Sequence, residues 1–180
     1  MKDRQMKKIF MIGMVFASFT VSSFAVQTGE VLTQVTLAGK NGGLNDDKVW
    51  DSLQLKGKVH VLLYMDPDER KEAMPFLNKL NKAGFPSTNY STVAIVNLAA
   101  TWMPNMLLET MLDKKQKELL NTQFVFDKTK HLVKKWQMKD DASNILVLDK
   151  EMKVLYKKSG TLSTQDQKEI LDLVKNTLKK

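Results

Sequence analysis

Asp66-Pro67-Asp68-Glu69-Arg70 places three carboxylates within four positions of one another. That spacing raises two chemistries, a metal site and a catalytic carboxylate pair. The same residues also suit the start of a helix, with no function attached. Asp66 can cap it, Pro67 suits its first position, and Asp68 and Glu69 suit its positive end. The helix start accounts for all three acids, so no catalytic or metal-ligating role is assigned to them. The turn Asp66–Arg70 remains the candidate binding surface.

Other residues with chemical potential are sparse. His60 and His131 are far apart in the chain, and neither sits in a Ser-His-Asp order, a glycine-rich phosphate loop or a His-Glu-x-x-His pattern. A non-thiol enzyme built on carboxylates or on these histidines is the weaker reading. Met103 and Met106 flank Pro104, and Met65, Met74 and Met111 can lie near them. Thioether sulfur suits Cu(I), which makes soft-metal binding an alternative. Methionines at helical spacing beside leucines ordinarily fill core space. The chain has no cysteine, which excludes disulfides, zinc–thiolate sites, iron–sulfur clusters and thiol redox chemistry. No cofactor is expected. The formal charge is +8, but the lysines are scattered over helix faces rather than forming an aromatic-laced stripe. Nucleic-acid binding is therefore not expected. The basicity reads as a solvated surface with some attraction to anionic membranes or cell-wall polymers.

The elements around the turn follow from periodicity. Lys58–Met65 (KVHVLLYM) is apolar on both faces, as a central strand covered on both sides must be. A helix follows through Met74, Phe76, Leu77 and Leu80, with Pro75 inside it as a kink and Ala83-Gly84 as its end. Tyr90–Val96 is a second buried strand, and Leu98–Asn105 is irregular. A helix over Met106–Asn121 and a strand over Gln123–Asp127 come next. His131–Trp136 reads as a strand after a turn at Lys128–Lys130, and Lys139-Asp140-Asp141 as a loop. Asn144–Leu148 and Lys153–Tyr156 read as a hairpin. Ser163 or Thr164 caps the last helix, with Thr164 and Gln167 as a capping box and Ile170, Leu171, Val174 and Leu178 as its core stripe. Ahead of all these, Val31, Val35 and Leu37 suggest an edge strand, Asn45-Asp46-Asp47 closes a loop, and Trp50 is expected in the core or at its rim. Parallel βαβ units followed by an antiparallel end give an α/β domain.

The N-terminus differs in kind. Lys2, Arg4, Lys7 and Lys8 precede an apolar run, Ile9–Val21, and the small residues Ser23 and Ala25. These are the parts of a secretory signal peptide, too short in its apolar run for a membrane span of about 20 residues. Residues 1–25 are expected to be a signal peptide cleaved after Ala25, leaving a formal charge of +5 on residues 26–180. About 155 residues remain, enough for one core without disulfide or metal support. The expectation is a periplasmic protein with no stable membrane anchor after cleavage.

Two resemblances sharpen this picture. LQLKGKVHVLLYM resembles the lead into the central strand of thiol-disulfide oxidoreductases and peroxiredoxins. The end of the chain, from NILVLDKEMKVLY onward, resembles the thioredoxin hairpin and last helix. The closer match is the YtfJ family of small exported bacterial proteins of unknown function. The signal peptide, TVAIVN, TQFVFD, Trp136-Gln137 and VLDK fit it in order. The resemblance implies a thioredoxin-like three-layer α/β/α sandwich with a mixed central sheet. It also implies that the redox site has gone. Pro75 stands where thioredoxins have a proline in the active-site helix, and Pro67 and Arg70 stand where the two cysteines would be. Near Ser143, where thioredoxins carry a cis-proline, there is no proline. The fold can be inherited without its chemistry. The expected role is a non-catalytic binding or adaptor module for an unknown protein partner of the periplasm.

Overall fold

The computed structural model of the chain describes residues 25–45 and 48–180. Residues 1–24 of the expected signal peptide and Asp46-Asp47 of the expected loop lie outside the described residues.

Three short strands open the fold: β1 (Thr36–Leu37), β2 (Gly42–Gly43) and β3 (Trp50–Asp51). β4 (Val59–Met65) leads through a 3-10 turn, Pro67–Glu69, into α1 (Arg70–Lys82). β5 (Tyr90–Asn97) leads into α2 (Asn105–Glu118), and β6 (Thr122–Asp127) into α3 (His131–Trp136). β7 (Asn144–Leu148) and β8 (Val154–Ser159) form a hairpin, and α4 (Thr164–Thr177) closes the fold.

Six strands make one sheet in the order β2-β6-β5-β4-β7-β8. The three central strands β4, β5 and β6 are parallel, and β7, β8 and β2 are antiparallel additions. β1 and β3 form a separate antiparallel pair. All seven residues of β4 are buried, and its side chains alternate between two cores, as the strand period requires. Val59, Val61, Leu63 and Met65 face Phe76, Leu77 and Leu80 of α1 and Ile170 and Val174 of α4. Leu62 and Tyr64 face Leu37, Trp50, Leu132 and Trp136. The three-layer sandwich with a mixed sheet is as expected, because a strand apolar on both faces demands cover on both.

Several local readings are corrected. His131–Trp136 is a helix, not a strand. Leu132 and Trp136 lie four residues apart on one buried face, and Trp136 meets Trp50 edge-on at 6.4 Å. The cause is Asp127, whose carboxylate accepts from the backbone N–H groups of Thr129, His131 and Leu132 at 3.1, 2.8 and 2.8 Å. The capping box of α4 uses Ser163 and Asp166, one residue earlier than expected. The expected edge strand shrinks to β1, with Val31 in an isolated bridge to Lys153. Gly42 allows β2 to join the sheet edge: φ is 119°, and a Cβ there would lie 1.9 Å from the Phe126 carbonyl oxygen.

Candidate functional site

The C-terminal ends of parallel strands are where open α/β sheets gather ligands, and the turn Asp66–Arg70 sits there, just past β4. The structure divides its five residues. Asp66 is 3% exposed and does not cap the helix with its side chain. Its Oδ1 instead accepts from Asn97 Nδ2 at 2.8 Å, at the end of β5. Burial pushes its carboxyl pKa up, Asp140 and Asp141 add to that, and the Asn97 hydrogen bond and Lys130 oppose it. Pro67 takes the first position of the 3-10 turn and is buried. Asp68 is exposed and accepts from Thr101 Oγ1 at 3.2 Å. Glu69 is half-buried, and Arg70 is exposed at the start of α1.

Pro67 and Arg70 open onto a groove of about 520 Å³ between α1 and α2. Met65, Met74, Val96, Leu108, Met111 and Leu112 make its apolar walls. Arg70, Lys71, Lys114 and Lys115 stand around it, against Glu118 as the one acid among the described side chains. The apolar surface continues outward: Trp102, Met106 and Leu107, ahead of and within the first turn of α2, are 88%, 78% and 51% exposed. A helix fully buried only at Leu108 holds Met106, Leu107 and Met111 ready for contact, with Leu112 packed partly on the core. The sequence pointed to the Arg70 end of this groove and missed the α2 wall. Its signal was Leu107, Leu108, Met111 and Leu112, an apolar stripe wider than one buried position needs.

The other candidates do not assemble. His60 lies near the start of β4, buried, while His131 lies beyond the end of β6, at the opposite edge of the sheet. Burial, with the Lys58 charge adding to it, pushes the His60 imidazole down to about 4, so it is neutral at pH 7. Met65, Met74 and Met111 do share the groove, but Met106 points to solvent and Met103 packs on the core. Three thioethers among leucines and a valine make an adaptable apolar wall.

A family model described as "Bacterial protein of unknown function (YtfJ_HI0045)" matches residues 25–177. The chain belongs to this family. A relative named "Uncharacterized protein YtfJ", from Escherichia coli strain K12, is 25% identical over 182 residues, covering 97% of this chain and 99% of its own. Among solved structures, a putative protein disulfide isomerase from Bacteroides thetaiotaomicron aligns with a TM-score of 0.64 at 19% identity, covering 86% of this chain and 92% of its own. A putative thiol:disulfide interchange protein DsbE from Chlorobium tepidum aligns at 0.61 and 15%, covering 86% and 99%. At that identity the likeness establishes the fold alone, and the fold is thioredoxin-like. This member of the YtfJ family carries that fold with no cysteine, so thiol–disulfide exchange by its own side chains is excluded.

Proposed function

We propose that this chain is an exported, non-catalytic binding module. It holds an apolar protein segment bearing acidic side chains in the groove between α1 and α2. The observation that carries the reading is that groove: an apolar floor beside Pro67 and Arg70, ringed, among the described side chains, by four cations and one acid. Apolar burial supplies affinity, and the basic surround favours acidic partners and speeds their encounter. Export is supported by the sequence of residues 1–25 and by a family match that begins at residue 25, beside the expected cleavage point. No helix among the described residues is long and apolar enough to cross a membrane. The periplasm is the proposed compartment.

Site-specific photo-crosslinking in the native cell tests this. A crosslinker at Asn78 or Met111 should capture one protein partner, and a crosslinker at Lys168 on α4 should not. Met111→Glu should weaken capture by about tenfold, because it places a repelling charge on an apolar wall. Equal capture from both faces, or capture indifferent to Met111→Glu, overturns the reading. Cell fractionation and the mass of the mature chain test export; a chain retaining residues 1–25 in the cytoplasm refutes it.

A further inference from the structure

A second constellation lies at the same sheet edge and is separate from the groove. Asp66, Asp140 and Asp141 each bring a carboxylate oxygen to within 4.8 Å of the others. Asp66 is 3% exposed, and its Oδ2 has no hydrogen-bond partner. Asn97 is fully buried, and its side chain is aimed at the cluster, with Nδ2 2.8 Å from Asp66 Oδ1. Asn97 Oδ1 is also without a partner. A buried, unpaired Asp66 oxygen beside two further carboxylates is costly to leave unsatisfied. Lys130 answers only the outer part: its Nζ is 2.8 Å from Asp140 Oδ2 and 3.8 Å from Asp141 Oδ1. Three carboxylates against one ammonium leave a formal charge of −2.

We infer that Asp66, Asp140 and Asp141, with Asn97 behind them, form a binding site for one hard divalent cation, calcium in preference to magnesium. The donor set is oxygen only, with no histidine and no thiolate, which selects hard cations over zinc or copper. Calcium sits about 2.3–2.6 Å from its oxygens, so two ligands of one ion lie at most about 5 Å apart. The observed separations fit within that span, whereas magnesium at about 2.0–2.1 Å calls for a tighter shell. A dication cancels the residual charge and gives the buried Asp66 carboxylate a direct counter-charge, where Lys130 acts on it only at a distance. The raised pKa of Asp66 is the cost that the ion removes. The site does not depend on the groove, which none of the four residues lines.

The test is a titration of the purified full chain with calcium chloride, and separately with magnesium chloride, read by calorimetry and by the melting temperature. Calcium should bind at one ion per chain, with Kd of roughly 10⁻⁴–10⁻³ M as in extracellular calcium modules, and should raise the melting temperature. Asp66→Asn should abolish the response. Lys130→Gln should tighten binding by removing the competing cation. Asp140→Asn with Asp141→Asn should weaken it at least about tenfold, while the calcium-free melting temperature holds, since both side chains are at the surface. This double variant decides the matter if Asp66→Asn fails to fold. No saturable calcium binding at millimolar concentration overturns the inference. So does binding that survives the double variant, or magnesium binding without calcium binding.

Discussion

Burial is what separates the titratable residues of this chain from one another. His60 is 4% exposed, and its pKa is held near 4 against an ordinary 6.5. Between those values the unfolded chain takes up a proton that the folded chain refuses, so stability falls as the pH falls from about 6.5 to 4. The full shift corresponds to about 3 kcal/mol as an upper limit. Asp66 works in the opposite sense: its raised pKa means that the folded state binds the extra proton above pH 3.8, which adds stability as the pH falls. The difference between wild type and His60→Gln therefore isolates the histidine. Chemical denaturation of both proteins from pH 7 to 4 should show a shallower loss in the variant. Parallel curves would mean that His60 is not the group responsible.

Elements here are fixed by single polar residues at strand ends. Asp127 ends β6, starts α3 through three backbone N–H groups, and lies with its Oδ2 3.3 Å from the Tyr64 hydroxyl. Asp127→Ala strips those donors of their acceptor in a site that is fully buried. The expected loss is about 2–3 kcal/mol in urea unfolding, with Asp127→Asn intermediate because one carbonyl oxygen remains. Directly across the ladder from Asp127, Gly42→Ala drives a Cβ into the Phe126 carbonyl. β2 should detach from β6, and hydrogen exchange should rise at Gly43 and Phe126 while the β4–β5 amides stay protected. His131–Trp136 was misread as a strand because its apolar residues are few and its cap lies four residues upstream, at the end of another element. The boundary errors, as at α2, at β8 and at the α4 capping box, are of the same local kind.

For the whole molecule, the groove and the acid cluster divide one edge of the sheet between opposite charges. Arg70, Lys71, Lys114 and Lys115 surround the groove, whereas the cluster at Asp66, Asp140 and Asp141 is acidic. An acidic segment should therefore be steered to the α1–α2 side. Its binding should weaken as salt shortens the screening length from about 30 Å at 0.01 M to about 8 Å at 0.15 M. A fluorescent peptide alternating leucine and glutamate, titrated at both ionic strengths, checks this; salt-independent binding would leave apolar contact alone. The core on the other face of the sheet from α1 and the groove rests heavily on Trp136, fully buried against Trp50. Trp136→Ala should cost about 3–5 kcal/mol, visible as a lower denaturation midpoint.

The sequence by itself determined the strand–helix order everywhere but at His131–Trp136, the mixed sheet and the exclusion of thiol chemistry. Those follow from periods of two and 3.6 residues and from the absence of one residue type, all of which are local or countable. It also marked Asp66–Arg70 as the turn to watch. Only the tertiary structure decided what that turn does with its residues. Asp66 and Asp141 are far apart in the chain, and they meet because β7 pairs with β4 and delivers the Lys139–Asp141 loop to the end of the central strand. Likewise α1 and α2 share a groove because their parent strands, β4 and β5, are parallel neighbours, so both helices begin at the same edge. Strand order is a property of long-range pairing, and no local spacing of residues encodes which loop will face which.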